Sequence, residues 1–346
     1  MRRALQLAAR AAGRTSPNPL VGTVIVRSGK VVGEGWYRED GGAHAEVDAI
    51  GRAGTLAAGS TIYVSLEPHA FQGRTPPCTD ALIAARPRRV VVALRDPEPR
   101  TNGKGIRDIR AAGIKVDEGV CAEDAARLNE GYLSRLQRGR PHVTVKLATT
   151  VDGRVSVGGR RYLVGPPALR EVHRLRDRLD AVLVGVGTVL ADDPALTVRE
   201  VKGRDPLRVV VDADARTPVT AKVVRAKNPQ RTVLFVARDA DLRRTNRLRD
   251  AGVLLAKLPR VDAGLDLEAA LRWLAEQGVN TVLNEGGPRV AGALVAGGLA
   301  DRLRLYIAPF AGGDGPPGLP GVPAVRDLRN LSVRRLGGDL AISGDL

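Results

Sequence analysis

The chain has 346 residues, enough for two or three domains that each bury a core. Its formal charge is +16 but only 3% of residues are aromatic; the arginines are scattered and interleave no aromatic run, which argues against a nucleic-acid surface and suits small phosphorylated substrates. No run of about 18 uncharged apolar residues is present, so no membrane partner is expected, and two cysteines cannot build a disulfide framework, which makes a reducing cytoplasm the expected location.

In chain order, the spacing predicts an amphipathic helix over roughly 2–13, broken by Arg2, Arg3 and Arg10 in a way that a signal peptide is not. A Pro17-Asn18-Pro19 turn leads to strands at about 21–27 and 30–35. A helix entered at His44-Ala45-Glu46, a strand near 61–65, a long loop, a helix over about 77–85 and a strand at 89–94 follow. A further helix–strand pair runs to about 117, and one linking helix is expected over 122–138, placing a domain boundary near residue 140. The second domain opens with a strand at 143–148 and the turn Thr150-Val151-Asp152-Gly153-Arg154. A basic helix at about 167–178 and a strand at 181–185 come next; much later, a strand at 281–283 runs into Asn284-Glu285-Gly286-Gly287-Pro288-Arg289 and a new helix. Helix and strand alternate in both parts, so both are expected to be α/β.

Three residues have the chemistry of a zinc site. Two imidazoles, His44 and His69, and the Cys78 thiolate suit tetrahedral Zn²⁺ and leave the fourth position for water, which is a catalytic arrangement. Glu46, two residues past His44, can stand beside the metal without binding it and carry protons. The pattern matches the zinc-deaminase signature H-x-E followed by P-C-x-x-C, with two departures. His69 stands where that signature has Cys, and His69 and Cys78 are nine positions apart instead of three. Only four histidines and two cysteines exist in the chain, and three of those six fall at ligand positions. The insert before Cys78 includes Gly73-Arg74-Thr75, a turn suited to presenting an arginine to an anionic substrate.

From Ser16-Pro17-Asn18-Pro19-Leu20-Val21-Gly22 to Ile307-Ala308-Pro309, the chain resembles the bifunctional riboflavin-biosynthesis enzymes. These deaminate a diaminohydroxy-phosphoribosylamino-pyrimidine and then reduce its ribosyl chain to ribityl. The resemblance implies a cytidine-deaminase-like three-layer α/β/α domain over 1–140 and a dihydrofolate-reductase-like α/β domain over 141–346. It implies Zn²⁺ and NADPH as cofactors, a small phosphorylated pyrimidine as substrate and a homo-oligomer. Glu46 then becomes the catalytic proton carrier, and His44, His69 and Cys78 the metal ligands. Asn18 would bind the pyrimidine, and Arg74 the substrate phosphate, because Phe71 replaces a histidine the family uses there.

In the second domain the resemblance assigns Arg176, Leu196, Arg199 and Glu285 to substrate. Tyr162, Thr188, Asp192 and the run Gly287, Pro288, Arg289, Val290, Ala291, Gly292 and Ala293 are assigned to NADPH. No Rossmann fingerprint is present; the Gly-Gly between a strand and a helix start is instead suited to backbone contacts with phosphate. Three other readings remain open from sequence. One is a reductase with a vestigial deaminase domain. Another is a deaminase of tRNA or nucleosides, which leaves 141–346 unexplained. The third is a basic nucleic-acid-binding protein with structural zinc.

Overall fold

The computed structural model describes all residues except Arg74, Arg161, Asp262, Ala263, Pro323, Ala324 and Val325. The chain divides into two compact units, Met1–Gly139 and Arg140–Leu346.

The first unit comprises α1 (Arg2–Ala8), β1 (Gly22–Arg27), β2 (Lys30–Trp36), α2 (Ala45–Ala53), β3 (Thr61–Val64), α3 (Cys78–Ala85), β4 (Arg89–Val92), α4 (Lys104–Ala111), β5 (Lys115–Glu118), α5 (Ala122–Leu128) and α6 (Glu130–Arg138). The sheet order is β2-β1-β3-β4-β5, with β1 antiparallel to both neighbours and β3, β4 and β5 parallel. Strand alternation decides which helix covers which face. Ile25 and its neighbours Gly33 and Gly35 face α2: a Cβ on Gly33 would lie 2.4 Å from Ala49 O and one on Gly35 2.3 Å from Ala45 O. Gly22 points the other way, where its Cβ would lie 2.1 Å from Ala4 O of α1. The sheet is thus sandwiched between helices. Ile106 and Ile109 of α4 join the α2 side, and Leu5 of α1 meets Ala125 of α5 on the other.

The single helix expected over 122–138 is two helices, broken at Asn129. The cause is tertiary: the Asn129 carboxamide accepts from Leu20 N at 2.8 Å and donates to Leu20 O at 3.0 Å. This buried clamp fixes the loop that carries Asn18, and it holds Asn129 at φ −105°, ψ 19°, outside helical geometry.

The second unit comprises β6 (His142–Thr150), α7 (Pro166–Arg178), β7 (Ala181–Gly185), α8 (Val186–Asp192), β8 (Leu207–Val211), β9 (Thr232–Ala237), α9 (Leu242–Asp250), β10 (Leu254–Leu258), the short pair β11 (Arg260–Val261) and β12 (Gly264–Leu265), α10 (Leu267–Glu276), β13 (Thr281–Asn284), α11 (Pro288–Ala296), β14 (Arg302–Ala308), β15 (Arg329–Leu336) and β16 (Asp339–Asp345). The large sheet runs β10-β9-β8-β7-β13-β6-β14-β16-β15 and is parallel except at β16, which is antiparallel to both its neighbours. Strands β7 and β9 are buried along their whole length, as a parallel sheet covered on both faces requires. Late-arriving β13 inserts between β6 and β7. The carboxyl ends of β7 and β13 lie side by side there, the switch point at which open α/β sheets bind ligands.

Candidate active sites

In the first unit, two strand-to-helix passages bring the chemistry together. His44 is the residue before α2, Glu46 lies in the first turn of α2, and Cys78 opens α3, which packs beside it. His69 comes from the loop after β3. His44 Nδ1 is 2.6 Å and His69 Nδ1 3.0 Å from Cys78 Sγ, and one donor atom from each residue lies within 4.8 Å of the others. Thr75 Oγ1 sits 2.9 Å from His44 Nε2 and so orients the ring from its far side. Tyr37 meets His44 edge-on at 5.6 Å, and Phe71 meets His69 edge-on at 5.1 Å.

Burial sets the protonation of these groups. It pushes the Glu46 carboxyl up to about 7, against the hydrogen bond to Cys78 that pulls it down. Burial, aided by the neighbouring His44, lowers His69 to about 4, so its imidazole is neutral and its lone pair available. Burial and Glu46 together hold the Cys78 thiol well above its ordinary range. A divalent cation reverses that last preference, because it deprotonates a coordinating thiol. The donor set therefore fits zinc.

These residues line a cavity of about 520 Å³ together with Asn18, Asp96, Glu98, Arg100, Tyr132 and Arg135. Asn18 Nδ2 donates to Tyr37 Oη at 3.0 Å and to Asp40 Oδ1 at 2.8 Å, which fixes the side chain at the cavity wall. Arg74 lies outside the described residues.

Glu67, which precedes Pro68 and the candidate ligand His69, has no role assigned from sequence, yet it ties the cavity floor together. Its carboxylate accepts from Asp96 N at 3.2 Å, Gly103 N at 2.9 Å and Ile106 N at 3.3 Å, capping the start of α4. Gly105 is required there, because a Cβ would lie 2.0 Å from Pro68 O, one residue from His69. Gly105→Ala is expected to destabilise the first unit by at least about 1–3 kcal/mol, read as a lower urea midpoint. Unchanged stability would show that α4 can move off the ligand loop.

Asp96 accepts from Tyr132 Oη at 2.9 Å and from Glu98 N at 2.9 Å, and burial pushes it up to about 6. A raised folded value means that its contribution to stability is complete below the unfolded value of roughly 3.9 and is lost as pH rises through about 6. Asp96→Asn is therefore expected to gain about 1–3 kcal/mol relative to wild type at pH 8 but not at pH 4. Denaturation at the two pH values checks this, and an equal effect at both would refute it.

In the second unit, Glu285 follows β13 and is the centre of a charged cluster. Arg176 of α7 donates through Nε and Nη2 to its two oxygens at 2.6 and 3.0 Å, and through Nη1 to Thr197 O at 2.8 Å. Burial pushes Glu285 up, but Arg176 and then Lys146 outweigh it and hold the carboxyl below its ordinary value. Lys146, absent from the sequence expectations, lies 4.0 Å from Glu285 Oε2, and burial lowers its ammonium. Its signal in the sequence was a lone cation in the apolar strand β6. Arg199 N donates to His173 Nδ1 at 3.1 Å, so the segment bearing Leu196, Thr197 and Arg199 is pinned at two points to α7. Leu196 itself is buried in the core at φ 53°. Tyr162 is exposed yet close enough to Arg176 to bear on its charge.

Beside this cluster, Gly287 N donates to Thr188 Oγ1 at 3.1 Å, linking α11 to α8. A Cβ on Gly185 would come 2.9 Å from Val290 Cγ2, so glycine there lets the end of β7 pack against the first turn of α11. Of the run 287–293, Gly287 caps α11, and Pro288, Arg289 and Val290 form its first turn. Ala291 is fully buried in the core, and a Cβ on Gly292 would lie 2.2 Å from Pro320 O, so these two face inward. Asp192 is exposed at the end of α8, next to Asp193, which pairs with Lys222.

Comparison with known proteins agrees with this two-part arrangement. Residues 1–94 match the cytidine and deoxycytidylate deaminase zinc-binding region, and residues 141–342 match the RibD C-terminal domain. The class is thus a zinc-dependent deaminase joined to an α/β reductase. The Aquifex aeolicus riboflavin biosynthesis protein RibD is 40% identical over 99% of this chain and 96% of its own length; that of Escherichia coli is 38% identical over 99% and 97%. A solved Acinetobacter baumannii RibD structure superposes with a TM-score of 0.90 at 35% identity, covering 100% of this chain and 97% of that one. A Thermotoga maritima deaminase/reductase gives 0.88 at 32%, with the same coverage. The chain belongs to the RibD family of bifunctional deaminase/reductases of riboflavin biosynthesis. No helix among the described residues is long and apolar enough to cross a membrane.

Proposed function

We propose that residues 1–140 deaminate a diaminohydroxyphosphoribosylaminopyrimidine, and that residues 141–346 reduce the 5-amino-6-(5-phosphoribosylamino)uracil so formed, the two activities for which the Thermotoga protein is named. The observation that carries the reading is the convergence of His44, His69 and Cys78 within 4.8 Å beside the buried Glu46. Those three residues would hold zinc, which would supply a water of lowered pKa. Glu46 takes one proton of that water at its carboxylate and gives it to the ring nitrogen, then takes the second from the newly attached hydroxyl and gives it to the amine, which departs as ammonia. Asn18 orients the ring at the cavity wall, and Tyr37 and the Thr75 hydroxyl hold His44 in place.

In the second unit NADPH supplies the hydride. Thr188, Asp192, Tyr162 and the start of α11 from Gly287 to Ala293 would hold it, the first turn through its N–H groups unpaired among the described residues, while the inward Ala291 and Gly292 seat that turn against the core. Glu285, Arg176 and Arg199 hold the ribosyl phosphate substrate, Leu196 contributing by its backbone because its side chain is buried in the core, and the protein's main work there is to orient the two reactants. In this reading the enzyme is a cytoplasmic homo-oligomer acting on small phosphorylated pyrimidines, with no nucleic-acid partner. Zinc analysis and ammonia release from the diaminopyrimidine substrate, run beside NADPH oxidation on the deaminated substrate, test it. About one zinc per chain with both activities supports the reading. No zinc and no ammonia with intact NADPH oxidation leaves a reductase carrying a silent first domain.

A further inference from the structure

The deaminase cavity buries its carboxyl groups deep and carries its guanidinium groups on its wall, with the further carboxylates Asp40 and Glu98 beside them. Its deep end holds Glu46, Glu67 and Asp96, each 5% exposed or less, whereas the cations that line it among the described residues are Arg100 and Arg135. Arg100 is 66% exposed and stands at the mouth. Two contacts fix it there: its Cζ lies 4.1 Å above the centre of the Phe71 ring, and its Nε donates to Glu98 Oε1 at 2.9 Å. Phe71 in turn packs edge-on against His69. The guanidinium is therefore carried on a short relay of side chains that begins at a metal ligand. Nε is spent on Glu98, while neither Nη group has a hydrogen-bond partner among the described residues. Arg135 is differently engaged, donating through Nη2 to Pro17 O at 2.9 Å and lying over Tyr132.

A substrate whose amine-bearing ring meets the His44, His69 and Cys78 cluster has its phosphate ester directed toward the exposed Arg100 of the same cavity. We propose that Arg100, held by Phe71 and Glu98, is a phosphate-binding residue of the deaminase site in addition to Arg74, gripping the phosphate monoester through its paired Nη groups. This rests on the deaminase reading above and adds to it a second residue that selects phosphorylated over unphosphorylated pyrimidines. The stacking matters because an exposed arginine loses rotamer freedom when it grips an anion; a ring beneath it removes part of that cost before binding.

The test compares ammonia release from the phosphorylated substrate and its dephosphorylated form in wild type, Arg100→Ala and Arg100→Lys, each loaded with zinc. The wild-type preference, as a ratio of kcat/KM, is expected to fall about ten- to a hundredfold in Arg100→Ala, through KM, with partial retention in Arg100→Lys. An unchanged ratio overturns the proposal, as does an equal loss on both substrates, which would mark a structural role. Titration calorimetry with ribose 5-phosphate on the full chain reads the arginine without turnover. Arg100→Ala is expected to lose or weaken at least tenfold one class of site, and retention of every site at full affinity overturns the proposal. Absence of ammonia from wild type with either substrate would instead sink the deaminase reading, leaving the calorimetric result to decide on Arg100.

Discussion

Glu46→Gln is expected to lower ammonia release by about 10²–10⁴-fold while leaving about one zinc per chain and normal NADPH oxidation on the deaminated substrate. The substitution keeps the shape of the side chain and removes its capacity to carry a proton. Glu46 is 3% exposed in the first turn of α2 and is hydrogen-bonded to Cys78, so it faces the metal site and not solvent. It is not one of the three donors, which is why zinc should stay. Zinc analysis and an ammonia assay on the same preparation separate the two roles. Loss of zinc in Glu46→Gln would make the residue a ligand or a support for one. Retention of full activity would move the proton carrier elsewhere, with Asp96 the next carboxyl on the cavity wall.

His69→Ala is expected to abolish stoichiometric zinc and with it ammonia release, whereas His69→Cys should keep both. Removing one of three protein donors leaves two, too few for a tight site of this kind, and the loss of affinity should exceed the roughly 10–100-fold seen when only an outer partner of a ligand is removed. Cysteine restores a donor with a bond of about 2.3 Å in place of about 2.1 Å, a difference a loop residue can absorb. His69 lies in such a loop, outside both α2 and α3, with its Nδ1 already 3.0 Å from Cys78 Sγ. Zinc content after dialysis against a chelator is the measurement. Full zinc in His69→Ala would mean that another residue completes the site.

Much of the first site was legible because its residues are rare and their order is informative. In a chain with four histidines and two cysteines, His44, Glu46, His69 and Cys78 stood out without any knowledge of the fold. What could not be read was the support beneath them. Glu67 stands in the same short stretch as His69 but carried no role, yet it binds three backbone N–H groups that come from residues 29 to 39 positions later in the chain. Asn129 read as one more residue of a helix, and only its clamp on Leu20, 109 positions away, shows why that helix is two. The same holds for Lys146, whose partner Glu285 is brought to it by the insertion of β13 beside β6.

The sequence by itself determined the residue types, the alternating α/β character of both parts and the metal-binding spacing, because periodicity and ligand chemistry are local properties of the chain. Tertiary structure alone decided which charges meet. Burial pushes Glu46 up to about 7, α7 is carried to the end of β13 so that Arg176 can pair with Glu285, and Arg100 is seated on Phe71 at the cavity mouth. Each of these depends on contacts between residues distant in sequence and on the removal of water around them. Spacing along the chain encodes neither; the packing of helices against a sheet produces both.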